Sequence, residues 1–188
     1  MKHRFFLKNY CYDPAVFNDC QTLSKFIKLV DKQSGLHPER IEEMTYRGDA
    51  FEALVEAIVV LSPIDKRINI VDYVPWAEFD KNGDYGIDGI GKSHNGLPHC
   101  VQVKFRSDAG SYLTTKEDGI SNFVAKTLCM HYAQEVDMTV ITTAKGLAAN
   151  IGDKMYHDRV RVLGYDAVCS FVDDNVIFWN KFREAFEA

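Results

Sequence analysis

Residues 99–106 constrain the fold more than any other segment, because apolar and polar side chains alternate along them. Successive side chains of a β-strand point to opposite faces of a sheet. Val101 and Val103 would therefore face a hydrophobic core, while Gln102 and Lys104 would share the other face. The alternation predicts a strand, and the rest of the chain must supply the sheet and the helices that cover it.

The segments on either side predict a regular order of elements. Apolar residues recur at helical spacing in several segments, whereas short runs of alternating or continuous apolar residues indicate strands. The predicted order is α-α-β-β-β-α-β-α-β-α, with helices near residues 23–30, 46–61, 121–134, 146–157 and 174–187 and strands near 68–74, 85–90, 99–106, 138–142 and 160–163. This order predicts an α/β fold with a central mixed β-sheet flanked by helices.

Length and composition indicate a folded chain. Its 188 residues, 46% of them hydrophobic, suffice for one domain with a full core. We predict a helical N-terminal extension over residues 1–45 and the main domain over residues 46–188, together in a single compact unit. No apolar stretch reaches the length of a membrane span, and the basic, apolar start of the chain is too short for a signal peptide. We therefore expect no membrane partner.

Cysteine usage and charge restrict the setting and the mode of binding. The five cysteines are scattered, odd in number and form no Cys-x-x-Cys pair, which favours a reducing compartment such as the cytoplasm. The formal net charge of −5 counts against a protein that holds nucleic acid by overall charge alone. A binding site for phosphate groups would therefore have to be local.

Three polar pieces suggest such a local site. They are the sequences GDAFE at 48–52 on a predicted helix, DYGIDG at 84–89 on a predicted strand and QVK at 102–104 on the next strand. An acid on a helix, an acid on a strand and a Gln-x-Lys on its neighbour can surround one magnesium ion and one phosphate. Hydrolysis of a phosphodiester needs an activated water and stabilisation of charge on the phosphate, and magnesium provides both through hard oxygen ligands.

Each residue of these pieces has a predicted role. Asp88 is the best metal ligand, because glycines near it let a metal or phosphate approach the backbone closely. Gln102 offers an amide oxygen and Val103 a backbone carbonyl. Lys104 can orient or deprotonate the water, or neutralise developing charge. Glu52 borders the apolar stripe of its helix, from which it can reach the edge of the sheet.

The order Gly-x-x-Phe-Glu, Asp-x-Gly-x-Asp, Gln-x-Lys resembles the Mrr-type branch of the PD-(D/E)xK restriction-endonuclease-like nuclease superfamily. The resemblance implies a restriction-endonuclease-like core and a magnesium-dependent DNA endonuclease, in which manganese can substitute. It places the active site at Glu52, Asp88, Gln102 and Lys104, with Asp84 in support. It spans roughly residues 46–165, without the helical N-terminal extension and the C-terminal helix.

This chain departs from the family pattern at two positions. Ile87 stands where a proline often precedes the aspartate, and Gln102 replaces an acid. The site has one fewer fixed charge, so we expect the metal to bind weakly until DNA supplies phosphate oxygens. Contacts to DNA are expected from backbone amides near the site and from Arg106, Thr143 and Lys145.

The resemblance also implies partners and a setting. A homodimer would explain two cuts in a duplex by a chain with one site. If the chain is a fragment of a longer protein, a helicase or another domain is the expected neighbour. The resemblance points to a prokaryotic or phage-encoded nuclease that acts in the cytoplasm of the host cell.

Two other functions compete with this hypothesis. The same fold can serve as a weak or inactive DNA-binding or targeting module, because folds outlive their chemistry. Residues 86–93 also match the P-loop pattern G-x-x-x-x-G-K-[ST]. A P-loop must open a helix, whereas Asn95, Gly96 and Pro98 break one, so a P-loop nucleotidase is the weaker alternative. A histidine-based site at His94 and His99 lacks a second cluster of ligands.

Overall fold

The computed structural model describes residues 18–36, 39–61, 67–79, 86–132, 134–149 and 156–185, without the side chains of residues 41, 77 and 78. The main helices are α1 (Leu23–Ser34), α2 (Arg40–Leu61), α3 (Trp76–Phe79), α4 (Ile120–Met130), α5 (Tyr165–Val172) and α6 (Val176–Glu184). The strands are β1 (Val71–Pro75), β2 (Gly89–Lys92), β3 (Pro98–Lys104), β4 (Tyr112–Leu113), β5 (Asp137–Thr142), β6 (Gly146–Leu147) and β7 (Arg161–Leu163).

Five of these strands form one mixed sheet, and their order across it is β1-β2-β3-β5-β7. The pairs β1–β2 and β2–β3 are antiparallel, whereas β3–β5 and β5–β7 are parallel. The predicted central mixed sheet flanked by helices is therefore confirmed. The strand predicted from the alternation at residues 99–106 is β3, the middle strand, whose last residue Lys104 pairs with Thr142 of β5.

Hydrophobic cores cover both faces of this sheet. Val101 and Val103 belong to a core built with α1, α2, α5 and α6, whereas Cys100 belongs to a second core that includes Phe123 and Val124 of α4. Neighbouring residues of β3 thus face opposite cores, as the alternation predicts. Burial of these apolar side chains is the main force that holds the helices on the sheet.

The N-terminal helix shares a core with the main domain. The guanidinium of Arg47 on α2 lies 3.0 Å from the Asp31 carboxylate and donates to the Ser34 hydroxyl at 2.9 Å, both on α1. Leu23 N–H, at the start of α1, donates to Oδ1 of Asp173 at 2.7 Å. The boundary predicted between residues 45 and 46 falls inside α2.

Two parts of the element order differ from the prediction. The helix expected over residues 146–157 is wrong at its start, since Gly146 and Leu147 form β6 and pair with β4 in a separate two-stranded sheet. Residues 150–155 of that prediction lie outside the described residues. Helices α3 and α5 and strand β4 have no counterpart in the predicted order, because they are too short to show a clear helical or strand period.

The hairpin from β2 to β3 excludes the geometry of a P-loop. Residues 89–92 form β2, and the Gly96 N–H donates to the Ser93 carbonyl at 2.8 Å in the turn that leads to β3. No helix follows the glycine-rich segment anywhere in residues 86–98, all of which are described, so no helix N-terminus is available to hold phosphates.

His99 has a structural role in this hairpin. Its buried ring makes hydrogen bonds with the Thr139 hydroxyl at 2.8 Å and with the Ser93 hydroxyl and the Asn69 carbonyl, each at 3.0 Å. Burial lowers the pKa of His99 below its usual value, so the ring is neutral at physiological pH. Its nitrogens are therefore engaged within the fold, whereas His94 is exposed.

Within the part of the chain that the structure describes, no helix combines the length and apolar character that crossing a lipid bilayer requires.

Gly164 is a position where the fold leaves no room for a side chain. A Cβ there would overlap the backbone carbonyl of Lys145 and lie 3.1 Å from that of Ala144. We expect Gly164→Ala to destabilise the protein by about 1–3 kcal/mol, because backbone atoms cannot move aside as a flexible side chain can. Urea denaturation would measure this change.

Gly48→Ala is the matched control for this prediction. Gly48 lies within α2, and nothing is found within 4 Å of the position of its Cβ. Alanine should therefore stabilise the helix by roughly 0.5–1 kcal/mol through the lower entropy of the unfolded chain. Equal urea midpoints for the two variants would contradict the packing described at Gly164.

Candidate active site

Four of the predicted catalytic and metal-binding residues line one cleft of about 440 Å³ beside the end of β3. They are Glu52, Asp88, Val103 and Lys104. The rest of the lining comes from the first half of α2 and from the segment after β3: Arg40, Glu43, Met44, Arg47, Gly48, Phe105, Arg106 and Ser107. The cleft therefore lies where the helix that carries Glu52 crosses the ends of β2 and β3.

Asp88 occupies the point where β2 and β3 separate. Its N–H donates to the Val101 carbonyl at 2.9 Å, and its carbonyl accepts from the Trp76 N–H at 3.0 Å. Beyond this point β2 no longer pairs with β3, and Oδ2 of Asp88 accepts from the Val103 N–H at 2.6 Å instead. Because the N–H and carbonyl of a strand residue point to the same neighbour, the Val103 carbonyl is directed toward the same edge.

The helix α2 holds Glu52 at the wall of the cleft. Residues 50–59 of this helix are all buried apart from Glu52, so this part of α2 is packed on all sides. Glu52 is only partly buried, whereas Glu56, one turn later, is 2% exposed. Burial is the larger cause that raises the pKa of the Tyr73 phenol on β1, and the charges of Asp88, Glu52 and Glu56 raise it further, so these three carboxylates lie close to that phenol.

The main chain around Lys104 is fixed by two threonines of the β5 end. The Lys104 carbonyl accepts from the Thr142 hydroxyl at 2.7 Å and from the Thr143 N–H at 3.3 Å. The Lys104 side chain is partly exposed and lines the cleft. The charged side chain of Lys104 therefore lines the cleft, while two hydrogen bonds hold its main chain in place.

Gln102 lies apart from the other predicted ligands. It is 2% exposed and is not part of the cleft lining. Its Nε2 lies 3.7 Å from the Cβ position of Gly86 and 4.0 Å from that of Gly119. Its Oε1 is buried and has no hydrogen-bond partner among the described residues. A buried acceptor left in this state is costly unless a ligand or water satisfies it.

The three residues predicted to contact DNA differ in their exposure. Arg106 lines the cleft, but its guanidinium forms an ion pair with the nearly buried Asp118. Thr143 is fully buried, and its hydroxyl accepts from the Arg106 N–H at 2.6 Å and donates to the Arg106 carbonyl at 2.7 Å. Its predicted contact with DNA is therefore not available. Lys145 is exposed outside the cleft, 5.6 Å from the centre of the Tyr112 ring.

Some residues in and beside this cleft were not predicted from the sequence. Arg40 and Met44 are exposed near the start of α2 and form one wall, although nothing in their spacing connects them with β3. Tyr73 of β1 lies against Gly89, the residue next to Asp88, so closely that a Cβ at Gly89 would overlap its ring. A lone glycine after a strand aspartate was the only available signal for such a close contact.

The residues present suit magnesium better than a metal that needs a complete protein cage. Among the described residues no three His, Cys, Asp or Glu side chains gather into a metal site, and Asp84 lies outside those residues. Magnesium is usually bound through one or two carboxylates, with waters and substrate phosphates in the other positions. Asp88, the Val103 carbonyl and Glu52 provide such a set, and the unsatisfied Oε1 of Gln102 is a further hard oxygen.

Comparisons with known proteins do not assign this cleft to a family: no protein-family model, curated protein or solved structure matches the chain.

Proposed function

We propose that the protein is a magnesium-dependent DNA endonuclease with a restriction-endonuclease-like core. The observation that carries this proposal is the convergence of Glu52, Asp88, Val103 and Lys104 in one cleft. Glu52 lies on α2, Asp88 directly precedes β2, and Val103 and Lys104 lie at the end of β3. Their order also resembles that of the Mrr-type PD-(D/E)xK nucleases, which supports a shared chemistry.

The chain's own residues would divide the work in the following way. Asp88 and the Val103 carbonyl would hold the metal, with Glu52 assisting at the helix side. The metal, when bound, would supply a nucleophilic water and neutralise charge on the phosphate. Lys104 would orient that water and stabilise charge on the phosphate as the water oxygen bonds to phosphorus and the bond to the leaving sugar oxygen breaks.

Two basic side chains of the cleft suit a phosphodiester substrate. Of the four basic residues in its lining, Arg47 and Arg106 form ion pairs with Asp31 and Asp118, and the other two are Arg40 and Lys104. Arg40, which is exposed at one end, and Lys104 would contact the phosphate backbone on either side of the scissile bond. Contacts of this kind position a nucleic acid without reading its sequence.

We place the reaction in the cytoplasm of a host cell. The four described cysteines are free thiols, and Cys20 and Cys100 are buried, as expected for a protein from a reducing compartment. A homodimer would allow cleavage of both strands, and a helicase module is a suitable neighbour if the chain belongs to a longer protein.

Cleavage of supercoiled plasmid is the direct test of this function. We expect the purified protein to convert the plasmid when magnesium or manganese is added, and to lose all cleavage when a chelator removes the metal. Nicked product would indicate that one strand is cut, whereas linear product would indicate paired sites and favour a dimer.

The absence of any nicked or linear product with either metal would contradict the enzymatic proposal. A heat-inactivated sample of the same preparation controls for contaminating nucleases. Lys104→Ala, purified in the same way, controls for contaminating nucleases that remain after purification.

A DNA-binding module without catalysis is the second candidate, and one observation favours it. Gln102, the third predicted ligand, does not line the cleft, which leaves the metal set short of one expected oxygen. Such a module would retard DNA in a gel without cutting it, and the retardation would not depend on metal. Metal-dependent cleavage decides against it.

A further inference from the structure

A second groove lies beside the candidate site, between α3 and α4. It encloses about 590 Å³, a volume typical of ligand pockets. Its lining is mainly apolar and comes from α3, from the residue before Asp88 and from one side of α4: Trp76, Phe79, Ile87, Ala125, Lys126, Cys129 and Met130. None of these residues lines the cleft that contains Asp88, so the groove is a separate feature of the same end of the sheet.

Two aromatic rings form the wall of this groove on α3. The ring centres of Trp76 and Phe79 are 5.2 Å apart, and their planes meet at 48°. Trp76 is 7% exposed and belongs to the core behind the groove, whereas Phe79 is 62% exposed. An aromatic ring exposed to this extent in the wall of a pocket offers its face to another planar group.

The groove is joined to Asp88 through the main chain. Ile87 lines the groove and directly precedes Asp88, so the Cα atoms of these two residues are about 3.8 Å apart. The Trp76 N–H donates to the Asp88 carbonyl at 3.0 Å. Ile87 belongs to the core on the α4 side, whereas Asp88 lines the cleft on the α2 side. One ligand that passes the end of the strand can therefore occupy both the cleft and the groove.

Two amide side chains lie beside Gly86, the residue before Ile87. Nδ2 of Asn122 lies 3.6 Å from the Cβ position of Gly86, and Nε2 of Gln102 lies 3.7 Å from it. Oε1 of Gln102 is buried and has no hydrogen-bond partner among the described residues. A buried acceptor in this state is costly unless a donor from a ligand or water reaches it. The amino groups of adenine and cytosine are donors of this kind.

The charge of the groove suits an anionic strand. Lys126 is a cation, and no acidic side chain is among the described residues that line the groove. An aromatic pocket with a basic residue matches a nucleotide, because its base has flat apolar faces and its phosphate is negative. The connection with Asp88 favours a nucleotide of the substrate strand over a free apolar ligand.

We propose that this groove binds one unstacked nucleobase of the DNA strand whose phosphate lies at Asp88. The inference rests on the proposed function, since it takes the ligand at Asp88 to be DNA, and it adds the class of substrate: single-stranded or locally unpaired DNA. A base within a duplex is stacked on both faces and cannot lie against Phe79 until it leaves the stack. Every base has a π-face, so a pocket of this kind tolerates different sequences.

The test is fluorescence anisotropy of labelled single strands of about 12 nucleotides, titrated with the full chain in Ca²⁺ in place of Mg²⁺. One strand carries mixed bases, and a second strand of equal length is abasic throughout and keeps only sugars and phosphates. We expect Phe79→Ala to weaken binding of the strand with bases about tenfold or more, since stacking contributes on this scale, and to leave binding of the abasic strand unchanged. Phe79→Tyr keeps the ring and should retain most of the affinity. Ile177→Ala, at a position 69% exposed on α6, is the control.

The outcomes separate this inference from the proposed function. A loss confined to the strand with bases supports the nucleobase site, whereas equal losses for both strands, or no loss, overturn it. If Phe79→Ala distinguishes the two strands but the wild type cuts no DNA with magnesium or manganese, the nuclease function fails and the nucleobase site stands. If the wild type cuts plasmid but binds neither strand, the function stands and this inference is overturned. A wild-type dimer that Phe79→Ala converts to a monomer in analytical ultracentrifugation would place a second copy of the chain in the groove and overturn it as well.

Discussion

Lys104→Ala is expected to lower the rate of plasmid cleavage by about 10²–10³-fold or more, because a fixed charge aimed at the transition state contributes on this scale. Lys104 is the cation that β3 presents to the cleft, and its carbonyl stays anchored by Thr142 and Thr143 whatever its side chain is. The substitution should therefore remove activity while the melting temperature changes little.

Asp88 allows a sharper design, because its carboxylate has a structural contact as well as a proposed catalytic one. Its Oδ2 accepts from the Val103 N–H at 2.6 Å. Asp88→Ala would leave that N–H without its partner, at a cost of about 1–3 kcal/mol if water cannot replace it. Asp88→Asn keeps an acceptor oxygen and removes the charge. We expect both variants to lose cleavage and only Asp88→Ala to lose substantial stability.

Lys28→Ala is the control for these substitutions. Lys28 is exposed on α1 and does not line the cleft, so its loss should leave the cleavage rate unchanged. Cleavage of supercoiled plasmid and a circular dichroism melt would be measured for the wild type and for all four variants. Wild-type cleavage by Lys104→Ala or Asp88→Asn would show that the cleft is not the catalytic site.

The sequence predicts the parts of this site that depend on local patterns. The alternation along β3 places Val101 and Val103 in a core, and the apolar stripe of α2 identifies the helix that carries Glu52. Both patterns arise from the geometry of a single element, so a single segment is sufficient to reveal them. The mixed order of elements likewise follows from segment types read one after another.

The parts that sequence analysis misses depend on contacts between distant segments. Gln102 and Lys104 are two residues apart on one strand, yet only Lys104 lines the cleft. Lys104 is the last residue of β3, where the strands of a twisted sheet separate and its side chain can reach solvent. Gln102, two residues earlier, is still buried. Thr143 is similar, since its burial depends on a hydrogen bond with Arg106 that no spacing reveals.

The cleft wall formed by Arg40 and Met44 was likewise not predicted, because it depends on contacts between distant segments. These residues lie near the start of α2, and the sequence analysis begins that helix only at about residue 46 because the apolar stripe is clear only from there. The bulge at Asp72 in β1 could not be predicted from the sequence either, because Asp72 has a positive φ and no glycine marks the position. Functional sites are where such departures from local rules are expected.

Trp179→Ala is expected to destabilise the protein by about 3–5 kcal/mol, the usual range for removal of a fully buried large aromatic residue. Trp179 is 0% exposed, and its ring centre lies 6.3 Å from that of Phe26, 5.3 Å from that of Phe178 and 5.8 Å from that of Phe182. Its indole N–H donates to the Val172 carbonyl at 2.7 Å, which ties α6 to the end of α5.

The consequence extends to the cleft, because α6 packs on α2 and Trp179 belongs to the same core as Phe51, the neighbour of Glu52. We expect Trp179→Ala to lose cleavage at a lower temperature than the wild type while its activity at low temperature persists. Trp179→Phe should lose less stability, since it keeps an aromatic ring and forfeits the hydrogen bond and part of the volume. Ile177→Ala, at a position 69% exposed on the same helix, is the control. If Trp179→Ala and Ile177→Ala have the same urea midpoint, the core around Trp179 does not stabilise the helix that carries Glu52.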